Sequence, residues 1–248
     1  MTGLTSVTFR DLTVSEIVQL AVKAGLDGIE WGGDIHAPAG DTDTARKIKE
    51  ETLNAGLRVF SYGSYYRLSG NAGWKDELTA VLKTAAALEA PIIRIWAGGK
   101  GSAETPPQLR DVLTQNLRDS CRLAEEYGLQ LALEYHRNTI TDTAESTLEL
   151  LGQADCSNLS TYWQPNPDLS YDTHFQEINT LLPYISNIHV FNWEKGNVRL
   201  PLGEGGEVWE KYIQLLGTGR DYIMEFVKDD SQTQFIQDAE SLIDLVKS

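Results

Sequence analysis

Four residues of this 248-residue chain stand at the ends of short apolar runs and carry donor atoms that chemistry can use. They are Glu134 in LALEYH, Gln164 in TYWQP, His189 in NIHVFNW and Glu225 in YIMEF. Two carboxylates and an imidazole supply the oxygen and nitrogen ligands that Mn²⁺, Mg²⁺, Co²⁺ or Zn²⁺ accept, and Gln164 can add a neutral amide oxygen. Each also has an ordinary alternative. Glu134 can pair with Arg137, Glu225 with Lys228, and His189 can be a hydrogen-bonded core histidine. Their occurrence at the ends of consecutive runs is what favours one shared site.

For four such residues to meet, the runs that carry them must converge. Apolar, β-rich runs fall near 4–9, 27–31, 57–62, 91–96, 129–135, 159–163, 185–191 and 221–226. Helical patterns alternate with them near 13–25, 42–55, 74–89, 107–127, 142–152, 172–182, 206–216 and 231–247. The joints repeat one phrase, seen in AVKAGLDGIEW, TLNAGLRVFSY, ALEAPIIRIWA and AEEYGLQLALEY. In three of them Gly25, Gly56 or Gly128 stands where a helix exit wants a left-handed residue. Thr13 followed by Glu16 forms a capping-box signature, and TPPQLRDVL places prolines where a helix begins. Runs apolar throughout suit parallel strands buried on both faces. Eight βα units spread over 1–248 predict one α/β domain, a (β/α)8 TIM barrel. A doubly wound sheet would show a glycine-rich phosphate turn after the first strand. Arg10-Asp-Leu-Thr13 follows it instead.

In such a barrel, function belongs to the C-terminal strand ends and the loops beyond them. That rule adds Arg10, His36, Tyr62, Trp96, Lys100, His136, Trp163, Asn192 and Glu204 as candidate substrate contacts. Four of the six tryptophans lie at strand ends, suggesting aromatic walls with interspersed carboxylates, which suit a small sugar. Arg94, within the fourth run, needs a partner such as Glu30 or Glu134 if it is buried.

Composition bounds the remaining readings. With 21 Lys and Arg against 36 Asp and Glu the formal net charge is −15, which disfavours nucleic acid as a partner. Cys121 and Cys156 lack C-x-x-C spacing, so no structural disulfide is expected. No segment reads as a signal peptide or membrane span, which predicts a cytoplasmic protein with no membrane partner. A homo-oligomer is left open.

GLDGIEW, LALEYH, NIHVFNW, PLGEGGEVW and YIMEF together resemble the sugar phosphate isomerase/epimerase family, the xylose-isomerase-like TIM barrels, along essentially the whole chain. The resemblance implies a divalent metal held from the fifth to eighth strands, with Glu134, His189 and Glu225 on three of its positions. Where the family has Asp followed three residues later by His, this chain has Gln164 and Pro167. The neutral amide lowers the charge that holds a cation. The four histidines and acidic balance do not fit the family's DNA-repair branch. The implied activity is isomerisation or epimerisation of a small sugar, keto-sugar or sugar phosphate through an enediolate, with Glu134 and Glu225 exchanging the proton. The alternatives are a non-catalytic sugar-binding barrel and a metal-dependent lyase or hydrolase acting on a polyol.

Overall fold

The computed structural model describes residues 1–247. Eight parallel strands hydrogen-bond in chain order and close on themselves: β1 (Thr2–Thr5), β2 (Gly28–Gly32), β3 (Arg58–Arg67), β4 (Ile92–Trp96), β5 (Gln130–Leu133), β6 (Leu159–Trp163), β7 (Ile185–Val190) and β8 (Asp221–Met224). Between and after them lie α1 (Val14–Lys23), α2 (Thr42–Asn54), α3 (Trp74–Leu88), α4 (Pro107–Glu126), α5 (Ala144–Ala154), α6 (Tyr171–Leu181), α7 (Gly206–Leu216) and α8 (Gln232–Lys247). This is the expected TIM barrel.

Local signals act as their chemistry predicts. Thr13 and Glu16 close the capping box on α1, Pro107 opens α4, and Gly25, Gly56 and Gly128 adopt φ of 71°, 79° and 68° at helix exits. The fourth joint has no glycine, and Glu89 takes the left-handed conformation there at φ 54°. Helix stripes such as Ile17, Val18, Leu20 and Ala21 of α1 meet the outward faces of the strands in one continuous core.

Three boundaries depart from expectation. β1 stops at Thr5, and Ser6–Phe9 forms a buried 3-10 turn. That turn is held because Ser6 Oγ accepts from Gly32 N at 2.9 Å and lies 3.0 Å from His36 Nδ1. Val7 fills the space a Cβ on Gly32 would need, 2.4 Å away. β3 runs past 62 to Arg67, regaining β4 at Arg67 and Trp96 after an irregularity. A short hairpin, Trp193–Glu194 with Val198–Arg199, stands beyond β7 outside the strict alternation. Among the described residues no helix is long and apolar enough to cross a membrane. Both cysteines are free thiols.

Candidate metal centre

Strand residues alternate between the barrel interior and the surrounding helices. Glu134, Gln164, His189 and Glu225 all point inward at the C-terminal ends of β5 to β8, and the structure brings them together. One donor atom each from Glu134, His189 and Glu225 lies within 4.8 Å of the others. His189 Nδ1 is 3.2 Å from Gln164 Oε1, 3.5 Å from Glu225 Oε2 and 3.8 Å from Glu134 Oε1. Gln164 Nε2 donates to the Tyr135 carbonyl at 3.0 Å, which turns the amide oxygen toward the centre.

The other ring nitrogen of His189, Nε2, lies 3.1 Å from Glu30 Oε1. Glu30 is fully buried, and its second oxygen accepts from Ser61 Oγ and Tyr162 OH at 2.8 Å each. A carboxylate behind a histidine fixes its tautomer and leaves Nδ1 free to face a cation. Arg94, itself buried, forms an ion pair with Glu134 and adds its charge to the field around Glu30. Neither ordinary alternative for the glutamates is realised: Arg137 pairs with Asp168 and bonds Asn197, and Glu225 faces His189.

The electrostatics follow from burial and proximity. Burial alone would raise the Glu30 pKa, but His189 and Arg94 hold the carboxyl well below the usual range. Burial would lower that of His189, yet Glu225 and Glu30 push it up to about 9. Glu225 is raised by burial and by the charges of Glu134 and Glu30, against the pull of His189. At neutral pH the raised pKa keeps His189 protonated, so His189 and Arg94 offset two of the three carboxylates Glu30, Glu134 and Glu225. Binding a cation through Nδ1 would release the His189 proton and leave two negative charges to be met. A divalent cation supplies that charge, and the nitrogen and oxygen donors suit one of the first-row metals or Mg²⁺. The residues present therefore fit a divalent metal.

Above the cluster opens a cavity of about 240 Å³. Its walls include Arg10, Tyr65, Trp96, His136, Arg137, Trp193 and Phe226. His136 stacks edge-on against Trp96 at 5.1 Å, and its Nδ1 lies 2.5 Å from the Arg137 carbonyl. Burial lowers its pKa, so the ring is neutral with Nδ1–H donating and the Nε2 lone pair left over. Arg10 reaches the rim, held by Asp34 at 2.6 Å and Tyr65 OH at 2.8 Å.

Six candidate contacts do not line this cavity. Trp163 and Tyr62 have the wrong parity: Trp163 points outward into Trp209, Tyr212 and His174, and Tyr62 OH bonds the Ala37 carbonyl at 2.8 Å. Both His36 nitrogens are engaged, by Ser6 Oγ and the Leu12 carbonyl. Lys100 is exposed on its loop. Asn192 and Glu204 line a neighbouring groove that shares Pro165, Pro167, Phe191 and Trp193 with the cavity. His174 lies within α6, bonded to Tyr212 OH and the Asn166 carbonyl, away from the centre. Conversely, Tyr162 and Asn187 join the site though neither stands at a strand end: Tyr162 OH donates to Glu30 and Asn187 Nδ2 donates to Tyr162 OH at 3.2 Å. Their signal was parity, since each lies two residues before a candidate ligand and so faces inward with it.

Comparisons with known proteins agree with this architecture. A 3-dehydroshikimate dehydratase of Bacillus anthracis is 32% identical over 207 residues, covering 77% of this chain and 71% of that protein. Among solved structures, a probable 3-DHS dehydratase involved in petrobactin synthesis from Bacillus anthracis superposes with a TM-score of 0.82 at 23% identity, over 98% of both chains. The D-psicose 3-epimerase of Clostridium cellulolyticum H10 does so with a TM-score of 0.74 at 16% identity, covering 99% of this chain and 98% of that one. Residues 18–245 match the xylose isomerase-like TIM barrel family as a whole, and the chain belongs to that family.

Proposed function

We propose that this protein is a metal-dependent lyase. It would remove a proton beside the carbonyl of a small polyhydroxylated keto compound and expel a neighbouring hydroxyl as water. The convergence of Glu134, His189 and Glu225 beneath an open cavity carries this reading. The 32% identity to a 3-dehydroshikimate dehydratase supports dehydration over isomerisation and makes 3-dehydroshikimate the first substrate to test.

Glu134, Gln164, His189 and Glu225 would hold the cation, with Glu30 orienting His189 and Arg94 orienting Glu134. When bound, a divalent metal polarises the carbonyl and stabilises the negative charge that develops as the proton leaves. His136 Nε2, neutral and on the cavity wall, is placed to accept that proton. The proton that His136 takes up is then the one to be delivered to the departing hydroxyl, so that water leaves with no net change of charge, while Glu225 stays an anionic ligand on the cavity floor. Trp96, Tyr65 and Trp193 bound a space of one ring and limit access of water. Arg10 and Arg137 at the rim favour an anionic group on the substrate.

A second reading, epimerisation, uses the same first step. Here Glu134 and Glu225 would take and return the proton on opposite faces of the substrate. Incubation with Mn²⁺ in D₂O separates the two. A product lighter by one water supports the lyase, whereas an epimer carrying one solvent deuterium supports the epimerase. Neither product from 3-dehydroshikimate or a panel of keto-sugars would overturn both. Glu134→Gln should lower turnover by about 10³-fold with the fold retained, as judged by circular dichroism.

A further inference from the structure

We infer that Glu177 of α6 is a positioning residue for the metal centre: by engaging Tyr135 and Trp163 outside the barrel, it fixes the ends of β5 and β6 and so sets the spacing of Glu134 and Gln164 inside it. The inference deepens the metal-site reading above and rests on it for its functional meaning.

Between these two strands the backbone ladder stops short of the residues that face the metal centre. Register pairing between β5 and β6 ends at Leu133 and Thr161, so Glu134 and Gln164 lie beyond the last backbone pair joining these two strands, although Glu134 N still donates to the Ile95 carbonyl of β4 at 3.0 Å and the Glu134 carbonyl accepts from Thr141 Oγ1 at 2.6 Å. Gln164 Nε2 donates to the carbonyl of Tyr135, the residue after Glu134. Because successive residues face opposite ways, Tyr135 and Trp163, the immediate neighbours of Glu134 and Gln164, point outward toward α6. There the Glu177 carboxyl, 5% exposed, faces the Tyr135 hydroxyl and the Trp163 indole N–H.

Glu177 Oε2, Tyr135 OH and Trp163 Nε1 are all buried, and none is in good hydrogen-bond geometry with another group. Buried polar groups without partners are costly, so three of them turned toward one another are drawn to pair. A single carboxyl group lying between both donors is positioned to tie two strands to one helix. One turn earlier, His174 binds the Asn166 carbonyl at 2.9 Å and Tyr212 OH at 2.6 Å, so the same face of α6 also holds the loop that follows Gln164. Burial pushes the Glu177 pKa up to about 7, and the nearby Glu145 carboxylate adds to the rise.

The test compares metal-free wild type with Glu177→Ala and Glu177→Gln by hydrogen-exchange mass spectrometry, followed by titration of each with Mn²⁺. Glu177→Ala should speed exchange about 10-fold at residues 134–137 and 163–167, leave β1 to β3 unchanged, and weaken Mn²⁺ binding about 10-fold, as loss of an outer-shell partner does. Glu177→Gln, which keeps an acceptor oxygen, should restore both. Unchanged exchange at the two strand ends, or a uniform increase over the whole barrel, would overturn the inference. If Glu177→Ala does not fold, Tyr135→Phe removes only the hydroxyl and should give a smaller change at the same two ends; none there would also overturn it. Should wild type take up no Mn²⁺ while the exchange pattern holds, the metal reading fails and the clamp stands.

Discussion

At the N-terminal end of the barrel the Phe60 ring lies over Gly3 and Gly28, where a Cβ would come within 2.5 and 2.3 Å of it, while Ala132 and Ile223 face inward on their strands. Two residues further along those strands the interior holds Glu30, Glu134 and Glu225, with Arg94 and His189 between them. One end is filled by volume and the other is balanced by charge. In the first, a substitution fails when it does not fit. In the second it fails when it leaves a charge without its opposite, even where the shape is kept.

The largest effect is expected from Arg94→Ala in metal-free protein. It strips the cation from Glu134 and from the field around Glu30 and should cost about 3–5 kcal/mol in urea unfolding. A loss below about 1 kcal/mol would show that the upper interior is not governed by charge balance.

Behind the charged end, Glu177 makes stability depend on pH. Its native pKa of about 7 exceeds the usual carboxylate value, because burial and nearby Glu145 outweigh the Tyr135 and Trp163 donors. The native state therefore holds a proton that the unfolded chain has released. Stability is complete below about pH 4.5 and falls as pH rises toward 7. Between pH 5 and 8 wild type should lose about 2–3 kcal/mol more than Glu177→Gln. Parallel pH profiles for the two would remove Glu177 from this account.

At the filled end, Gly28→Ala should cost about 1–3 kcal/mol, since the new methyl meets the Phe60 ring at 2.3 Å and the Arg58 carbonyl at 2.7 Å. Turnover by the folded fraction should be unchanged, and a large fall in it would blur the division between the two ends. The smallest effect, within about 0.5 kcal/mol and without change in KM, is expected for Lys100→Ala on its exposed loop.

Much of this was legible in residue order. Helix exits at Gly25, Gly56 and Gly128 and the cap at Thr13 are local, so neighbouring residues are enough to specify them. Glu134, His189 and Glu225 were found because a parallel barrel gathers its C-terminal strand ends at one mouth. The side of the strand was harder to read. Position at a strand end places Trp163 and Tyr62 at the cavity, yet each is one residue out of phase with an inward neighbour, Tyr162 or Ser61. Irregularities in β3 further obscure its phase. Glu177 left one signal, a carboxylate on the same buried stripe as His174, Ile178 and Leu181.

By itself, then, the sequence determined the number and order of βα units and which strand ends carry donor atoms, because periodicity, caps and left-handed glycines act over a few residues. Only the tertiary structure decided that Arg94 would meet Glu134, that His189 would stand between Glu30 and Gln164, and that Glu177 would close behind two of the strands. Those contacts join residues well separated in sequence, 40 positions apart for Arg94 with Glu134 and 159 for Glu30 with His189. Their partners are chosen by the stagger of strands around a closed barrel and by the need of each buried charge for an opposite one, neither of which is written in any single segment.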